Sequence, residues 1–144
     1  MLDYGDFIAD VGAIAMGSTT YEWILDHESG ADWRWPYEVP SWVFTHRELA
    51  VIRDARIEFT RDDVAAVHEE MVRAAGGRNV WIVGGGDLAG QFADAGLLGE
   101  VLVTIAPVTL GAGAPLLPRR VELRLEETGR NGDFVAVRYS VAQG

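Results

Sequence analysis

Residues 80–89, Val-Trp-Ile-Val-Gly-Gly-Gly-Asp-Leu-Ala, constrain the fold more than any other stretch of this chain. The apolar run Val80-Trp81-Ile82-Val83 suits a buried strand, and it stops abruptly at three glycines. Without Cβ atoms the main chain can take positive φ, and other groups can approach it closely. The helical pattern that begins at Asp87 would aim unpaired N–H groups and the positive end of a helix dipole into the same space, which suits a phosphate. A tight strand-to-helix turn without any ligand accounts for the same glycines, and this segment alone leaves both readings open.

A second unit of this kind lies upstream. Residues 13–16 read as a short buried strand stopped by Gly17, and Ser18 can cap a helix over 19–25 with Tyr21, Ile24 and Leu25 on one face. Before it, residues 3–11 carry Phe7, Ile8 and Val11 at helical spacing; after it, 26–40 is an irregular, aromatic-rich loop. Strands are predicted at 41–45 and 57–60. Over 62–75, Val64, Val67, His68, Met71 and Val72 follow the helical period until Gly76-Gly77. The helix over 87–95 turns Leu88 and Phe92 inward and stops at Gly96. A strand at 101–105, a glycine- and proline-broken loop at 110–117 and strands at 121–127 and 134–141 complete the chain, with Asn131-Gly132 as a two-residue hairpin turn. Strands alternating with helices and ending in a hairpin predict an α/β fold, a mixed sheet flanked by helices with a C-terminal antiparallel hairpin. At 144 residues, 1–144 is expected to form a single domain.

Composition removes several function classes. A net charge of −10 argues against nucleic acid as a partner, since such binding needs a basic surface. With no cysteine there is no disulfide and no thiolate nucleophile. Neither a signal peptide nor a run of about 18 apolar residues is present, so no membrane partner and a cytoplasmic location are expected. His27, His46 and His68 are too scattered for a metal site, and packing is the favoured role of His68. Asp26, Glu28 and Asp32 read as a solvated acidic surface. Trp23, Trp33, Trp35 and Trp42 offer flat faces to a heterocycle, although core packing explains Trp42 and Trp81 more simply.

In order, the motifs are Ile-Ala-Met-Gly-Ser-Thr-Thr-Tyr-Glu-Trp (14–23), Trp-Val-Phe-Thr-His-Arg (42–47), Val-Trp-Ile-Val-Gly-Gly-Gly (80–86) and Ile-Ala-Pro-Val-Thr-Leu-Gly-Ala-Gly-Ala-Pro-Leu (105–116). From about residue 5 to 142 this series resembles the dihydrofolate reductase-like superfamily, most closely the RibD C-terminal (bacterial deaminase-reductase C-terminal) family. The resemblance implies an NADPH-dependent reductase of a small heterocyclic (pteridine- or pyrimidine-like) or carbonyl substrate, as in riboflavin or folate metabolism. The alternative is a non-catalytic nucleotide-binding or dimerisation module descended from such enzymes.

By that resemblance Gly17, Ser18, Thr19 and Thr20 hold the adenosine side of the cofactor, with Ser18 standing where many relatives carry a phosphate-binding arginine. Thr45, His46 and Arg47 match the grip on the adenine ribose and its phosphate, so Arg47 is the expected substitute for that arginine, with NADH as the alternative cofactor. Gly84, Gly85, Gly86, Asp87, Leu88 and Ala89 match the pyrophosphate turn. Trp23, Ile24, Leu110 and Gly111 correspond to the substrate side. No acid–base pair declares itself, so the catalytic residues stay unassigned.

The resemblance also carries a departure. The family's opening strand, with its Ser-Leu-Asp-Gly-like segment, has no match in this sequence. It would lie between the strands matching 80–84 and 101–105. That slot is expected to be filled by a strand exchanged from a second subunit or by residues upstream of Met1, or to be closed by direct pairing of its neighbours. A homodimer is the expected assembly.

Overall fold

The computed structural model describes residues 4–27 and 35–142, so Glu28, Asp32 and Trp33 lie outside the described residues. The chain opens with helix α1 (Tyr4–Ala9), strand β1 (Val11–Gly17) and helix α2 (Ser18–His27). Strands β2 (Ser41–Phe44) and β3 (Ile57–Thr60), helix α3 (Val64–Ala75), strand β4 (Asn79–Gly84) and helix α4 (Gly86–Asp94) follow. Strands β5 (Glu100–Ile105), β6 (Leu123–Asn131) and β7 (Phe134–Val141) end it. The α/β class stands, with one refinement: the strands form two sheets. β3-β2-β1-β4 is wholly parallel, and β5-β7-β6 is antiparallel.

The parallel sheet is covered on both faces, as its apolar strands require. Ala13, Ala15 and Trp42 pack against Val64, Val67, Met71 and Phe92 of α3 and α4. Ile14, Met16 and Val43 face Tyr21 and Ile24 of α2, with Phe7 and Ile8 of α1 at the border. Gly12 lets the end of α3 sit directly on β1, because a Cβ there would overlap the Ala75 carbonyl oxygen. Asp63 caps α3 through the Ala65 amide, and Gly76 closes it with φ 59°, where a left-handed residue is needed.

Trp42 is buried in the core, and Trp81 is ringed edge-on by Tyr4, Phe7 and Tyr37, so packing is the role of both. His68 sits edge-on to Phe92. The hairpin turn lies one residue later than its sequence signal: Asn131 pairs with Phe134, leaving Gly132 and Asp133 as the loop. Gly132, at φ 61°, supplies the positive φ, so the glycine and not Asn131 decides the register.

Among the described residues β4 pairs only with β1, and β5 only with β7. Direct pairing of the 80–84 and 101–105 strands is therefore removed from the expected ways of closing the slot.

Candidate functional site

The strand order places the site. From β1 the chain steps outward through β2 to β3, then crosses back to lay β4 on the opposite side of β1. The order thus reverses between β1 and β4. In open parallel sheets, ligands bind in the crevice beyond the carboxyl ends of the strands at such a switch point. Both glycine turns stand there. Met16 and Gly84 are register partners, and each strand passes straight into a helix N-terminus.

The glycines divide their work. A Cβ at Gly84 would come 2.5 Å from Thr20 Oγ1, and one at Gly86 would come 2.8 Å from the Leu116 carbonyl oxygen. These two accommodate other parts of the protein. Gly85 has φ 99° and faces the Gly17 amide nitrogen at 3.8 Å from its Cβ position. At Gly17 a Cβ would meet nothing within 4 Å, so the floor of the crevice is open there. No side chain caps α4 at Gly85, which leaves the amides of its first turn available.

Asp87 does not start the helix, as its position in the sequence suggests; α4 begins at Gly86. Its carboxylate accepts from Gln91 and pairs with Arg119, and these contacts, Gln91 first, hold its pKa below the ordinary carboxylate range. Arg119 also grips Asp94 at 2.8 Å, lying across α4 over Gly90, and the two carboxylates raise its own pKa. The ionised Asp87 is thus partly neutralised beside the turn. Leu88 turns into the core, so only its main chain faces the crevice side, whereas Ala89 is half-buried.

Along the same carboxyl edge, β2 and β3 end in matching threonine turns. Thr45 Oγ1 accepts from the Arg47 amide at 3.0 Å, and Thr60 Oγ1 accepts from the Asp62 amide at 3.0 Å. Between them lies a recess of about 350 Å³ lined by Thr45, Arg47, Glu48, Leu49, Phe59, Thr60 and Arg61. Thr45 and Arg47 therefore come together as the sequence suggests, and His46 is exposed beside them. Sequence reasoning missed Arg61 and Thr60, although Thr60-Arg61 at the end of the 57–60 strand parallels Thr45-His46-Arg47 after 41–44. It also missed that Arg47 is ion-paired with Glu22 of α2.

The proposed substrate residues are more dispersed. Ile24 is 6% exposed and belongs to the core, so it cannot line an open pocket; its place on the inner face of α2 decides this. Trp23 is exposed, stacked on His27 at 4.3 Å between ring centroids. Leu110 is solvent-exposed and Gly111 has φ 81°; later in the same loop, Pro115 and Leu116 reach Gly86. Among the described residues no three His, Cys, Asp or Glu side chains converge on a metal position, and no helix is long and apolar enough to cross a membrane.

Comparison with known proteins agrees with this architecture. The uncharacterized protein YwjB of Bacillus subtilis (strain 168) is 30% identical over 140 residues, spanning 94% of this chain and 77% of its own. A Shewanella sp. PV-4 protein provisionally assigned to riboflavin biosynthesis superposes with a TM-score of 0.78 at 19% identity, over 99% of this chain and 81% of that one. The Saccharomyces riboflavin biosynthesis reductase Rib7 does so with a TM-score of 0.59 at 14% identity, over 92% and 76%. The sequence profile of the RibD C-terminal domain matches residues 12–132. The chain belongs to the RibD C-terminal domain family, whose fold it shares with reductases of riboflavin biosynthesis.

Proposed function

We propose that this protein is a reductase that binds NADPH along the carboxyl edge of the parallel sheet and reduces a small heterocyclic or carbonyl substrate. The observation that carries the reading is the meeting of two glycine turns, each opening a helix N-terminus, at the switch point between β1 and β4. The residues present fit a dinucleotide: Gly17 leaves open space, and the first amides of α4 carry no side-chain cap. Phosphate there would be met by main-chain N–H groups and helix dipoles, which do not depend on the negative net charge. The cofactor supplies the hydride; the chain's task is binding and alignment. Family membership and the reductase Rib7 among its structural neighbours support the same reading.

The test is calorimetric titration with NADPH, followed by nicotinamide absorbance with pyrimidine, pteridine and carbonyl substrates. Saturable binding with turnover of one of these classes is expected. Binding without turnover on any of them would favour the nucleotide-binding module instead, and no binding would remove the reading.

We also propose that two copies associate. One face of the antiparallel sheet presents Val101, Val103, Val135 and Leu125, with Ile105 54% exposed among them, and the outer edges of β4 and β5 carry no partner strand among the described residues. Exposed apolar faces and strand edges invite such pairing.

A further inference from the structure

We propose that Arg119, which lies outside every motif read in the sequence, is a positioning residue for the nucleotide: it draws the Asp87 carboxylate back from the end of α4 and offsets its charge there. The inference rests on the nucleotide site proposed above. Asp87 is the second residue of α4, the helix whose uncapped first turn opens at the crevice. A carboxylate in a first turn ordinarily serves the helix by facing the positive end of its dipole. A diphosphate would use that same dipole and the same amides, and two anions so close repel each other. The chain thus carries a negative side chain at its own anion site, and something must offset it.

Both oxygens of Asp87 are engaged. Oδ1 accepts from Arg119 at 3.1 Å and Oδ2 from Gln91 at 2.9 Å. Gln91 lies one turn further along α4, and the guanidinium rests over Gly90, so both donors pull the carboxylate away from the helix end. The seat is shaped for this: a Cβ at Gly90 would come 2.8 Å from the guanidinium, which a bare glycine lets lie flat on the helix. Asp94 holds the other side of Arg119 at 2.8 Å, and the Arg119 side chain is 25% exposed against 70% and 60% for the two carboxylates. Arg119 is itself anchored close by, since the Leu116 carbonyl three residues earlier sits against Gly86. An exposed ion pair contributes little to stability, so the geometry serves the charge at the turn better than it serves the fold.

Calorimetric titration with NADP⁺ and NAD⁺ tests this on the whole chain, with thermal melts confirming that each variant folds. Arg119→Ala is expected to weaken both nucleotides alike, by roughly fivefold, since both carry the diphosphate. Arg119→Lys, which keeps the charge, should recover part of the loss. The deciding comparison is a pair of double variants. Asp87→Asn in the Arg119→Ala background should return the affinity to within about twofold of wild type. Asp94→Asn in that background removes the same charge about 10 Å further along the helix, and the affinity should stay low. Where Arg119→Ala does not fold, Arg119→Gln carries the same comparison. Unchanged affinity in Arg119→Ala, or no recovery on adding Asp87→Asn, would overturn the inference while leaving the nucleotide site intact; equal recovery with Asp94→Asn would overturn it too, because net charge alone would then be acting. Failure of the wild-type protein to bind either nucleotide would remove the site and the inference together.

Discussion

Replacing Gly17 by valine separates a glycine kept for a ligand from one kept for the fold. Gly17 ends β1, its φ is not positive, and a Cβ there meets nothing within 4 Å, so the added side chain enters open space in the crevice. Valine is well suited to a strand end, and a substitution that touches no neighbour changes stability by about 0.5 kcal/mol or less. The melting temperature should therefore hold. A phosphate excluded from the helix N-termini loses charge-assisted hydrogen bonds worth about 1.5–3 kcal/mol, which corresponds to a roughly tenfold to hundredfold weaker NADPH affinity. The neighbouring glycines serve as controls, because their Cβ atoms would meet Thr20 at Gly84 and the Leu116 carbonyl at Gly86. Gly85→Val is a poorer probe, since a side chain at φ 99° is strained whatever the ligand does. Calorimetry with NADPH on a folded Gly17→Val protein is decisive: unchanged affinity would mean that the crevice is not the phosphate site.

Other perturbations test the framework around it. Gly12→Ala forces a methyl group into the Ala75 carbonyl, and urea denaturation should show a loss of about 1–3 kcal/mol with the crevice residues unaltered. Asp87 has its folded pKa lowered, so its contribution to stability is full above the ordinary carboxylate range and is lost as pH falls through the depressed value. Asp87→Asn should accordingly flatten the acid limb of the stability profile and lower stability at neutral pH, both read from denaturation at stepped pH. Ile105→Glu places a charge on the exposed apolar face, and sedimentation velocity should show a wild-type dimer becoming a monomer; a monomeric wild-type protein would refute the association.

Where one local pattern decided the outcome, the sequence was readable. The period of Val64, Val67 and Met71 with a glycine stop delivers α3 within two residues, and the apolar runs before Gly17 and Gly84 are β1 and β4. What could not be read depends on contacts between distant segments. Nothing local to residues 84–86 tells that Gly84 yields to Thr20, or that Gly86 yields to a carbonyl thirty residues away in sequence. Arg47 stands where the motif suggests, but its engagement by Glu22 emerges only when α2 is laid beside the β2 turn. Ile24 and Trp23 are adjacent in sequence and point to core and solvent because a helix turns about 100° per residue. The split into two sheets depends on which strand edges find partners, and composition does not encode that.

The most direct measurement is a titration of isotopically labelled protein with NADPH, followed by backbone amide chemical shifts. The account predicts saturable shifts at Gly17 to Thr20 and at Gly85 to Ala89, extending to Arg47 and Arg61 at the recess. Shifts confined to the opposite end of the sheet, around Tyr37 and Arg56, or the absence of saturable shifts at the two glycine turns, would contradict it.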